Sequence, residues 1–201
     1  MQVSAGPIDG RAARAARTRD AIVDACVSLV EEGDVRPTAP RIAERAGVSV
    51  RSVFQHFDDL PALYTAVVRK VVERVAALVV PVDTSLPLDR RIATFAHHRA
   101  NLLEAVTPFR RAAAVHAPFS PELREALVEG AAYLRSEIEA TFGAELTLAP
   151  PAERRELLDA LAVTTSWGAW DALRSEAGGS RHRAQAVVAR TLRALLAAHR
   201  G

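Results

Sequence analysis

Cysteine, lysine and aromatic residues are all scarce in this 201-residue chain. The one cysteine, Cys26, excludes an intrachain disulfide and points to a reducing compartment. It falls at helical spacing with Ile22, Leu29 and Val30, which reads as a buried thiol rather than a redox sensor. Aromatics make up 5% of the residues, and the alternation that marks strands is missing, with one weak candidate at 145–148. No run reaches the ~20 apolar residues of a membrane span, and the N-terminus carries no apolar leader. A soluble, cytoplasmic protein without a membrane partner is therefore expected. An excess of one charge is absent too: 26 basic residues face 24 acidic ones. Any nucleic-acid binding has to come from the local placement of arginines, because Lys70 is the only lysine.

The usual catalytic signatures are also missing. There is no phosphate-binding glycine loop, no nucleophile elbow and no H-E-x-x-H zinc motif. His97 and His98 are neighbours, so on a helix they point about 100° apart and cannot share one ion comfortably. Spacings of three or four between them, His116 and Glu104 do not occur. No enzyme, no cofactor and no metal site is expected.

What is abundant is Ala, Leu, Arg and Glu, within a composition that is 49% hydrophobic, and this favours helices around a buried core. The most informative stretch is RIAERAGVSVRSVFQHF, residues 41–57. Ile42, Ala43 and Ala46 give a first short helix an apolar edge. Gly47 suits a left-handed helix end, and Ser49 is placed to cap the helix that follows. Val53 and Phe57 share one face of that second helix. Arg51, Ser52, Gln55 and His56 occupy the other, a set of donors and acceptors suited to base edges in a major groove. An αα-hairpin that only packs would explain the glycine and the apolar edges, but not this polar face.

The pattern IAERAGVS, five further residues and His56-Phe57, followed by an apolar helix from about Leu60, resembles the helix-turn-helix of the tetracycline-repressor (TetR) family. The resemblance implies an all-α fold of about nine helices. Residues 1–58 would form a three-helix helix-turn-helix DNA-binding domain, and 59–201 a helical ligand-binding and dimerisation domain. It implies DNA contacts from Arg14, Arg17, Thr38, Ser49, Val50, Arg51, Ser52, Phe54, Gln55 and His56. Two departures stand out. Phe54 sits where the family usually has tyrosine, and Leu60 where it often has lysine, so two phosphate contacts are missing. Arg51 or the arm that carries Arg11, Arg14, Arg17 and Arg19 is available to compensate. Arg51 is the best match to guanine, with Gln55 next. The alternative is an all-α small-molecule binder whose DNA head has lost its affinity.

Along the chain, residues 1–10 read as a frayed end, and Thr38 as an N-cap with Pro40 in the first turn. Asp58-Asp59 reads as a cap for a long apolar helix running to Val80. Further helices are expected near 88–105, 108–116, 121–142, 151–176 and 181–199, with proline or glycine at most of the breaks. In the family the central helices enclose a small-molecule effector. By that resemblance His98, Asn101, Phe109, His116, Tyr133, Trp167 and Trp170 are candidate lining residues. Leu158, Ala162, Thr165, Ala169 and Leu173, with Val188, Leu192, Leu195 and Leu196, read as a homodimer interface through the two C-terminal helices. A two-fold pair would present its heads to a palindrome in double-stranded DNA, with half-sites about 34–36 Å apart or a multiple of that.

Overall fold

A computed structural model describes residues 8–76 and 79–198. Among these residues there are nine α-helices and no strand. The expectation for residues 1–7 lies outside this range. The chain divides into two compact units, one holding the residues through Val71 together with Pro108–Ala126, the other Val72–Thr107 and everything from Leu127.

In the first unit, α1 (Ile8–Glu31), α2 (Ala39–Ala46) and α3 (Val50–His56) pack on each other. α1 starts earlier than expected, with Gly10 inside the helix rather than in a frayed end. Ile22, Val23, Cys26, Leu29 and Val30 from α1 are buried, as are Ile42, Ala43, Val53 and Phe57. Burying such side chains is worth about 1.5–3 kcal/mol for each large aliphatic group, which holds α2 and α3, at 8 and 7 residues too short to persist alone. Gly47 ends α2 at φ +66°, and the Val48 N–H returns to the Ala43 carbonyl at 3.0 Å. Arg45 makes two 2.7 Å bonds to Glu32, tying α2 to the end of α1. α4 (Leu60–Ala76) begins in this unit, where Asp59 caps it through the Ala62 N–H at 2.7 Å. Its described helix ends at Ala76, short of the expected Val80.

The second unit contains most of α5 (Leu88–His116) and α6 (Pro121–Leu146), then α7 (Pro151–Thr164), α8 (Trp167–Asp171) and α9 (Arg181–Ala197). Three expected boundaries change. The break at Pro108 is absent: α5 runs through it. Proline removes one helical N–H bond, but Leu103, Phe109, Ala112 and Ala113 around it are buried, and that packing carries the helix across. At 142–143 the expected end of α6 is only a kink, with Phe142 at φ −119° and fully buried against Phe95. The helix expected over 151–176 is broken after Thr164. There Ser166 turns its oxygen to the Ala169 N–H and starts α8, which passes into a π-turn at Ala172–Glu176. The strand candidate at 145–148 is the last turn of α6 and the bend after it. Glu145 is buried there in an ion pair with Arg91, which also donates to the Thr141 carbonyl at 2.8 Å and the Leu86 carbonyl at 3.0 Å.

The core of this unit joins Ile92, Phe95, Leu103, Ile138, Phe142, Leu157, Leu161 and Trp170 with the inner face of α9. That changes the interface expectation. Leu158, Thr165, Val188, Leu192 and Leu196 are buried within the chain's own unit, whereas Ala162, Ala169, Leu173 and Leu195 of the same expected set are half-buried. An i, i+4 apolar ridge is the signature of any buried helix face.

Candidate nucleic-acid interface and ligand cavity

α3 owes its orientation to local chemistry. Ser49 caps it, accepting from the Ser52 N–H at 3.1 Å, and Val53 and Phe57 anchor its inner face. The Arg19 guanidinium lies over the Phe57 ring at 4.7 Å and fixes the far end. With the inner face fixed, Arg51, Phe54 and Gln55 stand exposed, and Ser52 and His56 are half-exposed. Val50 is 39% exposed and Phe54 48% exposed, so an apolar pair four residues apart lies beside the polar groups. Such a pair can meet thymine methyls or sugar edges.

The surrounding arginines fall into two groups. Arg41 and Arg45 are held by Asp34 and Glu32. The Arg45 hydrogen bond also holds the Glu32 carboxyl below its usual range. Arg14, Arg17 and Arg51 are exposed and have no ion-pair partner among the described residues. Thr38 stands at the start of α2, but only its carbonyl serves the helix, accepting from the Ile42 N–H at 3.0 Å. Its exposed hydroxyl makes no capping bond, unlike that of Ser49. Both were expected as N-caps: Ser49 caps through its side chain, and Thr38 does not.

The second unit holds a half-open cavity of about 600 Å³, within the range of small-molecule sites. Its walls are mostly apolar, from Val75, Val79, Val82, Phe95, Leu102 and Ala105. Of the seven lining candidates, His98, Asn101 and Tyr133 are on its wall. The other four are elsewhere. Phe109 is buried in the first unit, where His116 stacks on Tyr64 with ring centroids 4.2 Å apart. Trp167 Nε1 donates to Thr107 Oγ1 at 3.2 Å, and buried Trp170 Nε1 donates to Glu104 at 3.0 Å. Their polar edges are thus spent on structural partners. Asn101 is likewise engaged, by His97 at 3.3 Å and by Arg181.

Sequence reasoning missed the ion pair at this cavity. Arg99, 3% exposed, donates from Nη2 to Glu137 Oε2 at 3.1 Å and to the Leu134 carbonyl at 3.0 Å, and lies over Phe95 at 4.8 Å. Burial pulls the Arg99 guanidinium down to about 10, against the opposing pull of Glu137. Burial likewise raises Glu137, with Arg99 and His98 opposing. One signal was available. Arg99 falls at core spacing with Ile92, Phe95, Ala96 and Leu103, and a cation there requires a buried partner. Nothing local names Glu137, 38 residues away. Among the described residues no group of three or more His, Cys, Asp or Glu side chains is arranged to hold a metal ion.

Two helices crossing at a sharp turn, a small three-helix head and a larger helical unit with a cavity define a known class. The chain has the all-α fold of TetR-family transcriptional regulators. A transcriptional regulator from Rhodococcus sp. Rha1 superposes with a TM-score of 0.63 at 20% identity, over 92% of this chain and 96% of that one. A structure from Mesorhizobium loti assigned to the TetR family of transcriptional regulators gives 0.56 at 19% identity over 92% and 96%. The multidrug binding protein EbrR, complexed with imidazole, gives 0.58 at 21% identity over 86% and 93%. No family model and no curated protein matches the sequence.

Proposed function

We propose that this chain is a ligand-responsive, DNA-binding transcriptional regulator, a repressor that binds a palindromic operator as a homodimer and is released by a small molecule. The observation that carries the reading is α3: a capped helix anchored by Val53 and Phe57, with Arg51 and Gln55 left exposed on its outer side. Arg51 is assigned to guanine, and Gln55 to the next base edge. Arg14, Arg17, the Thr38 hydroxyl and His56 are assigned to phosphates, with Val50, Ser52 and Phe54 against the groove wall.

The effector is assigned to the cavity, and the resemblance to a protein named for binding drugs gives that assignment a precedent. Residues 1–58 serve as the reading head, and 59–201 carry the ligand and the dimer contacts. α4 is the lever: it follows α3 directly, buries Leu63, Tyr64 and Val67, and places Val75 on the cavity wall. A ligand with higher affinity for the released state shifts the population away from DNA, and only that differential affinity can do so. Dimerisation uses the outward sides of α7 and α9, where Val163 is 68% and Val187 37% exposed, rather than the buried ridge.

Selection of bound sequences from a random duplex pool tests the reading. A palindrome recovered by the full chain supports head, dimer and function together. Recovery of no preferred sequence removes the regulator reading and leaves a small-molecule binder.

A further inference from the structure

The chemistry of the cavity wall restricts what can occupy it; this step rests on the cavity being the effector site proposed above. The wall holds one buried cation, Arg99, and one half-buried anion, Glu137, and they neutralise each other at 3.1 Å. Arg99 is further committed to the Leu134 carbonyl and to the face of Phe95. An anionic ligand would have to draw Arg99 away from Glu137, and a cationic one Glu137 away from Arg99. Either exchange strands a charge in a poorly solvated site.

His98 is the wall residue with a buried polar atom that the protein leaves unengaged. Its Nδ1 is buried without a hydrogen-bond partner. A hydrogen there would meet no acceptor, so the favoured tautomer carries it on Nε2. The ring then offers the cavity a donor, whereas the Asn101 amide is already held by His97 and Arg181. Most of the rest of the lining is aliphatic or aromatic, as at Val75, Val82, Leu102 and Ala105, with the hydroxyls of Thr84, Tyr133 and Thr141 as its other polar groups. We infer that the cavity takes an uncharged, mostly apolar molecule whose polar anchor is a carbonyl-type oxygen, received by the His98 Nε2–H.

Three probes of equal chain length separate the possibilities: 2-decanone, decanoate and decyltrimethylammonium. Each is titrated calorimetrically into the full chain at neutral pH without DNA. The ketone should bind at least tenfold more tightly than either ion. His98→Leu should weaken the ketone at least fivefold. Glu137→Gln, which frees Arg99, should raise the affinity for decanoate. Equal or tighter binding of either ion, or binding of none of the three, overturns the inference. The ranking on the unaltered chain decides by itself, so a variant that fails to fold does not shield it. Because no DNA is present, a chain without an operator can still give this ranking, and an ionic winner leaves the regulator reading standing.

Discussion

Arg51 and Arg14 are both exposed and unpaired among the described residues, yet they serve different ends in this account. Arg14 addresses phosphate, so Arg14→Ala should weaken binding to every duplex alike. It should also flatten the plot of log affinity against log salt by about 0.9. A loss confined to one sequence in a salt titration would contradict that role. Phe54 is 48% exposed beside the polar groups of α3, where a hydroxyl would add a phosphate contact. Phe54→Tyr should therefore raise affinity for specific and random duplexes by the same few-fold factor, measured by fluorescence anisotropy. His116 offers a test in the first unit. Burial, with Arg36 adding, lowers its pKa, and Asp59 opposes. A base whose folded pKa is depressed binds protons more readily when unfolded, so stability is lost as pH falls through about 6.5. The unfolding midpoint should drop between pH 7 and 5.5, and His116→Gln should reduce that slope; an unchanged slope would remove His116 as its source.

At the level of elements, local chemistry explains the head and long-range pairing explains the larger unit. Ser49→Ala removes the side-chain cap of α3 and should cost about 1 kcal/mol, readable by urea denaturation. Gly47, Ser49, Val53 and Phe57 were all legible in the sequence because each acts within a few residues of its partner. Asp59 was legible for the same reason. The break after Thr164 was not, since a serine inside an apolar pattern has two options, and Ser166 takes the cap. Pro108 misled in the opposite direction: buried neighbours overrode a strong local breaker. The Arg91–Glu145 pair spans 54 residues and joins the start of α5 to the end of α6. No local pattern could have matched them. Both are buried, so Arg91→Ala should cost about 3–5 kcal/mol by removing both guanidinium bonds that the Glu145 carboxylate accepts. A loss under 1 kcal/mol in the same denaturation assay would show that the carboxylate finds other partners.

For the whole molecule, the fold class and the position of α3 were visible from the sequence, and the cavity was visible only in part. Of the seven candidates, His98, Asn101 and Tyr133 reach it, while the tryptophans donate to Glu104 and Thr107. Helical periodicity says which side chains share a face. It does not say whether that face meets a void or another helix. For the same reason, part of the ridge expected at an interface proves to lie in the chain's own core. The account rests on the outer side of α3 reading bases. The most direct test compares Arg51→Ala with the unaltered chain on a selected duplex and on random DNA at one salt concentration. Loss of a bidentate guanine contact, worth about 1–3 kcal/mol, predicts roughly 10- to 100-fold weaker binding to the selected duplex and little change on random DNA. Equal losses on both would mean that α3 does not read sequence.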